Sequence, residues 1–196
     1  MDLSLEAAAA AARACTLCTD LPLGPRPVFR VSPTARLLVI GQAPGTKVHA
    51  TGIPWNDPSG DRLRDWLGMD RDTFYDGARI AIVPTGLCYP GRLPRGGDAP
   101  PRPQCAPLWH PRLIGPMREL RLTLLVGSYA IRSVLGRAAA AQLGETVRNF
   151  AAIMPRGYFP LPHPSWRTKA WAAQRPWFEA EVLPALRQAT TAALAG

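Results

Sequence analysis

The chain has 196 residues, of which 47% are hydrophobic, enough for one ordinary domain with one substantial core. Lys+Arg 23 against Asp+Glu 14 leaves a formal charge of +9, a field that attracts phosphates and points to a polyanionic partner. The longest alanine-rich apolar stretch, Ala7 to Ala12, is far short of the roughly 18 to 20 residues of a bilayer span, so a transmembrane helix is excluded. Lys47 and Lys169 are the only lysines; the arginine bias fits forked phosphate contacts and a general compositional preference equally well. The first residues carry acid where a signal peptide carries base, which reads as a cytosolic or nucleoid protein with no membrane partner.

Ser4 is placed to cap a helix beginning at Leu5 and running to about Ala14, through an alanine run of high helix propensity. Pro22, Pro25 and Pro27 then impose an extended connection. Arg36 to Ile40 is a short apolar run ending at Gly41, the pattern of a buried parallel strand, and Arg79 to Val83, Leu122 to Val126 and Tyr158 to Leu161 repeat it. Between them, residues 59 to 67 read as a one-faced helix capped by Asp57 or Ser59, and Tyr129 to Leu135 as a second helix closed by Gly136. Residues 171 to 194 read as mostly helical, with breaks at Pro176 and Pro184. The 22 prolines, roughly twice ordinary usage, cluster at 84 to 111 and 155 to 164, which read as loops. This alternation predicts an α/β fold: one domain over residues 1 to 196, a three-layer αβα sandwich around a mainly parallel four-stranded sheet. In such sheets ligands sit beyond the carboxyl ends of the strands, so the loops after 40, 83, 126 and 161 are the ones to inspect.

Four cysteines in a reducing compartment are poor disulfide candidates. Cys15 and Cys18 form a C-x2-C pair, and Cys88 and Cys105 follow with sixteen residues between them. A pair plus two later thiolates matches a four-sulfur site for zinc or an iron-sulfur cluster; spacing does not choose between them, and unrelated buried thiols are the plain alternative.

Two loops have the composition of a site. Gly41-Gln42-Ala43-Pro44-Gly45 follows the first strand, where glycine lets backbone amides approach an anion or a planar base. It lacks the endings of a P-loop or a dinucleotide fingerprint. In the second loop, His163 is held between Pro162 and Pro164, followed by Ser165, Trp166, Arg167 and Lys169, an aromatic and basic tip suited to wedging into a duplex. Read without further context, Asp57 is a helix cap, Trp55 a core aromatic, His49 a polar loop residue and His110 structural. Arg92, Arg95, Arg167 and Lys169 are the basic residues best placed for phosphate contact.

The strand followed by Gly41-Gln42-Ala43-Pro44-Gly45, the later Gly52-Ile53-Pro54-Trp55 and the terminal His163-Pro164-Ser165 together resemble the uracil-DNA glycosylase superfamily. The four cysteines fall where its iron-sulfur branches, families four and five, place their cluster ligands. The resemblance spans about residues 13 to 170. It implies that Gly41 to Gly45 and Asn56 line a uracil pocket, that Trp55 stacks on the flipped base in place of the usual phenylalanine, and that His163 donates to uracil O2. It further implies that Cys15, Cys18, Cys88 and Cys105 hold a 4Fe-4S cluster and that Ser165 to Lys169 enter DNA. Where family four has acidic residues after its first motif this chain has Val48 and His49, and Pro84 replaces the asparagine that reads the uracil edge. Family five instead has an aspartate in an Asp-x-Ser-Gly context, which Asp57-Pro58-Ser59-Gly60 reproduces with a one-residue shift. Asp57 is accordingly the expected catalytic carboxylate, with His49 the alternative. The expected activity is that of a monomeric, monofunctional enzyme of base excision repair acting on uracil-containing DNA. A non-catalytic binder of damaged or abasic DNA and a glycosylase for another deaminated base are the alternatives.

Overall fold

A computed structural model describes residues 4–195; the acidic start read at Met1 to Leu3 lies outside them. The chain runs through α1 (Leu5–Arg13), β1 (Leu37–Ile40), α2 (Thr46–Thr51), α3 (Pro58–Leu67), α4 (Arg71–Tyr75), β2 (Ile80–Ile82) and α5 (Cys105–Ile114). It continues through β3 (Leu122–Val126), α6 (Ser128–Leu135), α7 (Arg137–Ala141), α8 (Leu143–Arg148), α9 (Phe150–Ile153), β4 (Tyr158–Leu161), α10 (Arg167–Ala173) and α11 (Leu183–Leu194).

The four strands form one sheet in the order β2-β1-β3-β4, every pair parallel. Helices cover both faces, so the strands are near-continuous apolar runs, with Thr123 a buried polar exception, rather than alternating with polar residues. The period of two decides which layer each side chain feeds. Leu37, Val39, Ile80, Ile82, Leu124, Phe159 and Leu161 pack with Leu63, Phe178 and Leu186 on one face. Leu38, Ile40, Ala81, Val83 and Leu125 pack with Ala12, Trp109, Leu113 and Ile131 on the other. Pro160 sits in β4, an edge strand, where a missing N–H costs no ladder bond on the open side.

Local chemistry explains the helix starts. The Ser4 hydroxyl accepts from the Ala7 N–H at 3.2 Å, and the Asp57 carboxylate accepts from the Gly60 N–H at 2.8 Å. Three readings need correction. The span 84 to 111 is not wholly loop, because α5 begins at Cys105 and carries Pro111 inside it. The tip after Trp166 is the first turn of α10 rather than an open loop. Pro184 does not break the last helix: a π-helical stretch, Phe178–Val182, comes immediately before α11. The wider turn accommodates a ring that would collide with the carbonyl four residues back in a regular helix. The first strand starts one residue later than the sequence pattern places it, after Arg36, and the second is shorter by one residue at each end, Arg79 and Val83.

Candidate active site

The chain leaves β1, crosses to β2 on one side, and returns to β3 on the other, so the carboxyl end of β1 is the point where the winding reverses. A pocket of about 540 Å³, including its open mouth, lies there. Its walls come from the loops after β1, β2 and β4: Gly41 to Gly45, Trp55 and Asp57, Pro84 and Asp98, and His163. The loop after β3 supplies no lining residue, but Gly127 in it leaves room for His163: a Cβ there would lie 3.3 Å from the His163 Cβ.

Trp55 is the one non-glycine residue with positive φ among the described residues, at 56°. That conformation is disfavoured for a bulky side chain and has to be held by its surroundings. The Tyr75 hydroxyl donates to the Pro54 carbonyl at 2.8 Å, and the Arg64 guanidinium donates to the Trp55 carbonyl at 3.4 Å. Arg64 is itself buried, paired with Asp61, and lies over the Phe74 and Tyr75 rings. Two glycines make the placement sterically feasible. A Cβ on Gly41 would come within 2.8 Å of Trp55 Cζ2, and one on Gly60 within 1.7 Å of the Trp55 carbonyl oxygen. The indole therefore rests on the first loop, with its ring 5.9 Å from the His163 ring and tilted by 32°. It packs against the core with one part and lines the pocket with another.

Asp57 caps α3 and lines the pocket at once: its Oδ1 takes the Gly60 N–H, while a Cβ on Gly45 would lie 3.9 Å from its Oδ2. Burial holds the His163 imidazole below its ordinary pKa, against an opposing pull from the Asp57 charge, so the ring is neutral at pH 7. The Thr168 hydroxyl donates to the His163 carbonyl, and the Ser165 N–H donates to the same carbonyl at 2.8 Å, which ties the histidine loop to α10. The Gln42 amide donates to the Ala99 carbonyl at 3.0 Å, and the Thr85 and Gly86 N–H groups donate to Gly41 and Gln42 at 2.9 and 2.8 Å, so the first loop is braced by the segment after β2.

Not every residue singled out from sequence comes here. His49 lies on α2 and is not among the lining residues; its ring is 6.1 Å from that of Tyr89, and its buried Nδ1 has no hydrogen-bond partner. Burial and the Arg26 charge push the His49 pKa down. Asn56 is turned to Arg71, which donates to its Oδ1 at 3.0 Å, and it too is absent from the lining. His110 packs with its Nε2 3.1 Å from the Pro84 carbonyl, a structural placement. Ser165 and α10 stand beside the pocket, with Trp166 75% exposed, the Arg167 guanidinium 5.1 Å from its ring centroid, and Lys169 exposed. Sequence reasoning missed Asp98, which lines the pocket from the segment between Cys88 and Cys105. The available signal was an acid directly after Gly96-Gly97 in an otherwise basic and proline-rich stretch.

A second, smaller pocket is lined by Cys15, Cys18, Cys88 and Cys105, with Pro25, Pro27, Arg102 and Trp109 around them. Burial pushes the Cys88 thiol up to about 11, and the other three thiols add to the rise. The Leu87 N–H donates to Cys105 Sγ at 3.3 Å and the Gln104 amide to Cys18 Sγ at 3.5 Å. Arg102 donates to Asp20 at 2.7 Å, yet its buried Nε has no acceptor. Among the described residues no three His, Cys, Asp or Glu side chains are grouped to hold one metal ion.

The family model described as the uracil DNA glycosylase superfamily matches residues 29–187, which takes in every lining residue of the first pocket except Val28 and leaves Cys15 and Cys18 of the thiol set outside. With this match and an all-parallel sheet carrying the pocket at its winding reversal, the chain belongs to the uracil-DNA glycosylase superfamily, whose common activity is that of a DNA glycosylase, a hydrolase of DNA repair.

Proposed function

We propose that this protein is a monofunctional uracil-DNA glycosylase that hydrolyses the N-glycosidic bond of a deoxyuridine swung out of the helix, leaving an abasic site. The observation that carries this reading is the convergence of Asp57, His163 and Trp55 on one pocket. Cleavage of the C1′–N1 bond leaves positive charge on the sugar and sends the bonding electrons into the departing uracil. A carboxylate near C1′ opposes the first charge and orients water, whose oxygen forms the new C1′–O bond. A neutral imidazole donating to O2 stabilises the second without protonating the base outright. The Trp55 ring gives the extruded base a surface to stack on, which offsets part of the few kcal/mol needed to unstack it. Trp166 and Arg167, exposed beside the pocket, fill the gap that the base leaves, and the +9 charge draws in the backbone.

The four thiols serve as ligands of a 4Fe-4S cluster in this proposal. Four thiols spread around one pocket, with amide donors to two sulfurs and an orphaned arginine Nε among the lining residues, suit a multi-atom acceptor better than a single ion held about 2.3 Å from every sulfur. The cluster would tie the segment before β1 to the segments before and at the start of α5, and it supplies no step of the hydrolysis. The protein works as a monomer in the cytosol on uracil-containing DNA.

Purified protein incubated with single- and double-stranded oligonucleotides bearing one deoxyuridine is expected to give alkali-labile sites at that position, and protein carrying iron and sulfide is expected to be brown. No strand breaks on either substrate overturn the glycosylase reading; retained binding without turnover then leaves a binder of damaged DNA. A colourless protein with one equivalent of zinc overturns the cluster.

A further inference from the structure

The edge of uracil that faces away from the sugar presents an N–H donor at N3 beside a carbonyl acceptor at O4. A side chain that reads both needs an acceptor and a donor side by side, which only an amide or a protonated carboxyl provides. The pocket holds three such groups, Gln42, Asp57 and Asp98. The Gln42 amide is held against the Ala99 carbonyl by one of its two N–H groups, and Asp57 Oδ1 takes the Gly60 N–H. Asp98 carries no hydrogen bond or ion pair among the described residues and stands exposed at the pocket mouth. Pro84, the residue directly after the second strand, offers no side-chain donor or acceptor for the task.

Resting on the glycosylase reading above, we propose that Asp98 recognises the extruded base as a neutral carboxylic acid, accepting from N3–H through its carbonyl oxygen and donating to O4 through its hydroxyl. Its position is fixed by backbone geometry. It lies in a tight antiparallel return in which Arg92 and Asp98 are bridge partners, Leu93 N–H donates to Gly97 at 2.9 Å and Ala99 N–H to Gly91 at 2.8 Å. The two carboxyls converge on Gly45, where an added Cβ would lie 3.5 Å from Asp98 Oδ2 and 3.9 Å from Asp57 Oδ2. The charged and titratable groups around Asp98 are Asp57, Arg92 and Tyr89, with Arg167 against the neighbouring Gly97 and His163 across the pocket. Desolvation and, in smaller part, the Asp57 charge already push the Asp98 pKa up, against the pull of Arg92. A base seated in the pocket removes more water from Asp98, and its O4 repels the ionised form, so occupancy favours uptake of a proton from solution. The ionised carboxylate accepts from N3–H but opposes O4, so recognition weakens as pH rises.

The test uses the full chain and an oligonucleotide carrying 2′-fluoro-2′-deoxyuridine, whose fluorine disfavours the sugar cation and preserves the bound state. Calorimetry at pH 8 in buffers of different ionisation enthalpy is expected to show uptake of about one proton on binding by wild type and none by Asp98→Asn. On ordinary deoxyuridine, kcat/KM of wild type falls by about tenfold per pH unit on the alkaline side, Asp98→Asn stays flat and overtakes it, and Asp98→Ala is weak throughout. Equal proton uptake by wild type and Asp98→Asn, or Asp98→Ala with wild-type kcat/KM and pH profile, overturns the proposal while leaving the glycosylase intact. Proton-linked binding of the analogue without hydrolysis of deoxyuridine overturns the glycosylase reading and leaves Asp98 in its role. Failure to bind the analogue at any pH overturns both.

Discussion

The two pockets of this protein differ in how far their polar groups are satisfied by the chain itself. In the pocket beyond β1, Asp57 has its N–H, the first loop is braced by Thr85, Gly86 and the Ala99 carbonyl, and a strained Trp55 is held by Tyr75, Arg64 and two glycines. In the thiol pocket, burial and mutual repulsion raise Cys88 and Cys105, two sulfurs accept weak N–H bonds, and the Arg102 Nε has no acceptor. The first is assembled before substrate arrives, as electrostatic catalysis requires. The second, in the cluster reading proposed above, has donors and thiols that become complementary only around a bound group.

The sharpest contrast between them comes from removing the chemistry of each. Asp57→Asn and His163→Ala are each expected to lower kcat by about 10²- to 10³-fold while DNA binding in a gel-shift assay stays near wild type; wild-type kcat in both variants would break the assignment of this pocket. Cys88→Ala is expected to do the reverse, abolishing visible absorption and lowering Tm by about 10 °C, with residual glycosylase activity in the molecules still folded. Gly60→Ala comes next in size. Alanine in a helix is ordinarily about 1 kcal/mol better than glycine, yet here the Cβ would lie 1.7 Å from the Trp55 carbonyl oxygen, so thermal unfolding is expected at lower temperature and turnover to fall with it.

Acid pH gives a smaller and reversible effect. The folded His163 pKa lies below the unfolded value of 6.5, so the unfolded chain binds protons first as pH falls through 6.5, and stability drops from there toward the folded pKa. The acid limb of kcat/KM belongs below pH 6.5 for the same reason, because the protonated ring must lose its proton to act as the neutral donor. The smallest stability effect is that of Trp166→Ala: for a side chain 75% exposed, the unfolding free energy stays within about 0.5 kcal/mol of wild type, while activity on duplex DNA falls more than on single strands. Equal loss on both substrates would remove the wedge role.

The layers of the fold were legible because each strand and the helices α1, α3, α6 and α11 carry a local signal. Four short apolar runs, the Ser4 and Asp57 caps and the glycines around α6 needed no distant partner to be read. The helices at Cys105–Ile114 and Arg167–Ala173 were hidden by Pro107 and Pro111 in one and by its polar start in the other. In the site, Asp57, Trp55 and His163 were accessible through short motifs that surround them, whereas Asn56, next to two of them, is turned away by its bond to Arg71. His49 sits on a short helix whose register directs it toward Tyr89.

What the chain order and residue types determined by themselves is the alternation of buried strands and helices, the basic field, and which loops stand at the carboxyl ends of the sheet, since period and capping act over a few residues. Only the tertiary structure decided that Asp98 shares a pocket with Gln42 and Asp57, fifty-six and forty-one positions earlier. Those meetings depend on the register of a tight return and on how loops close across the sheet, and no periodicity in sequence encodes the distance between groups brought together that way.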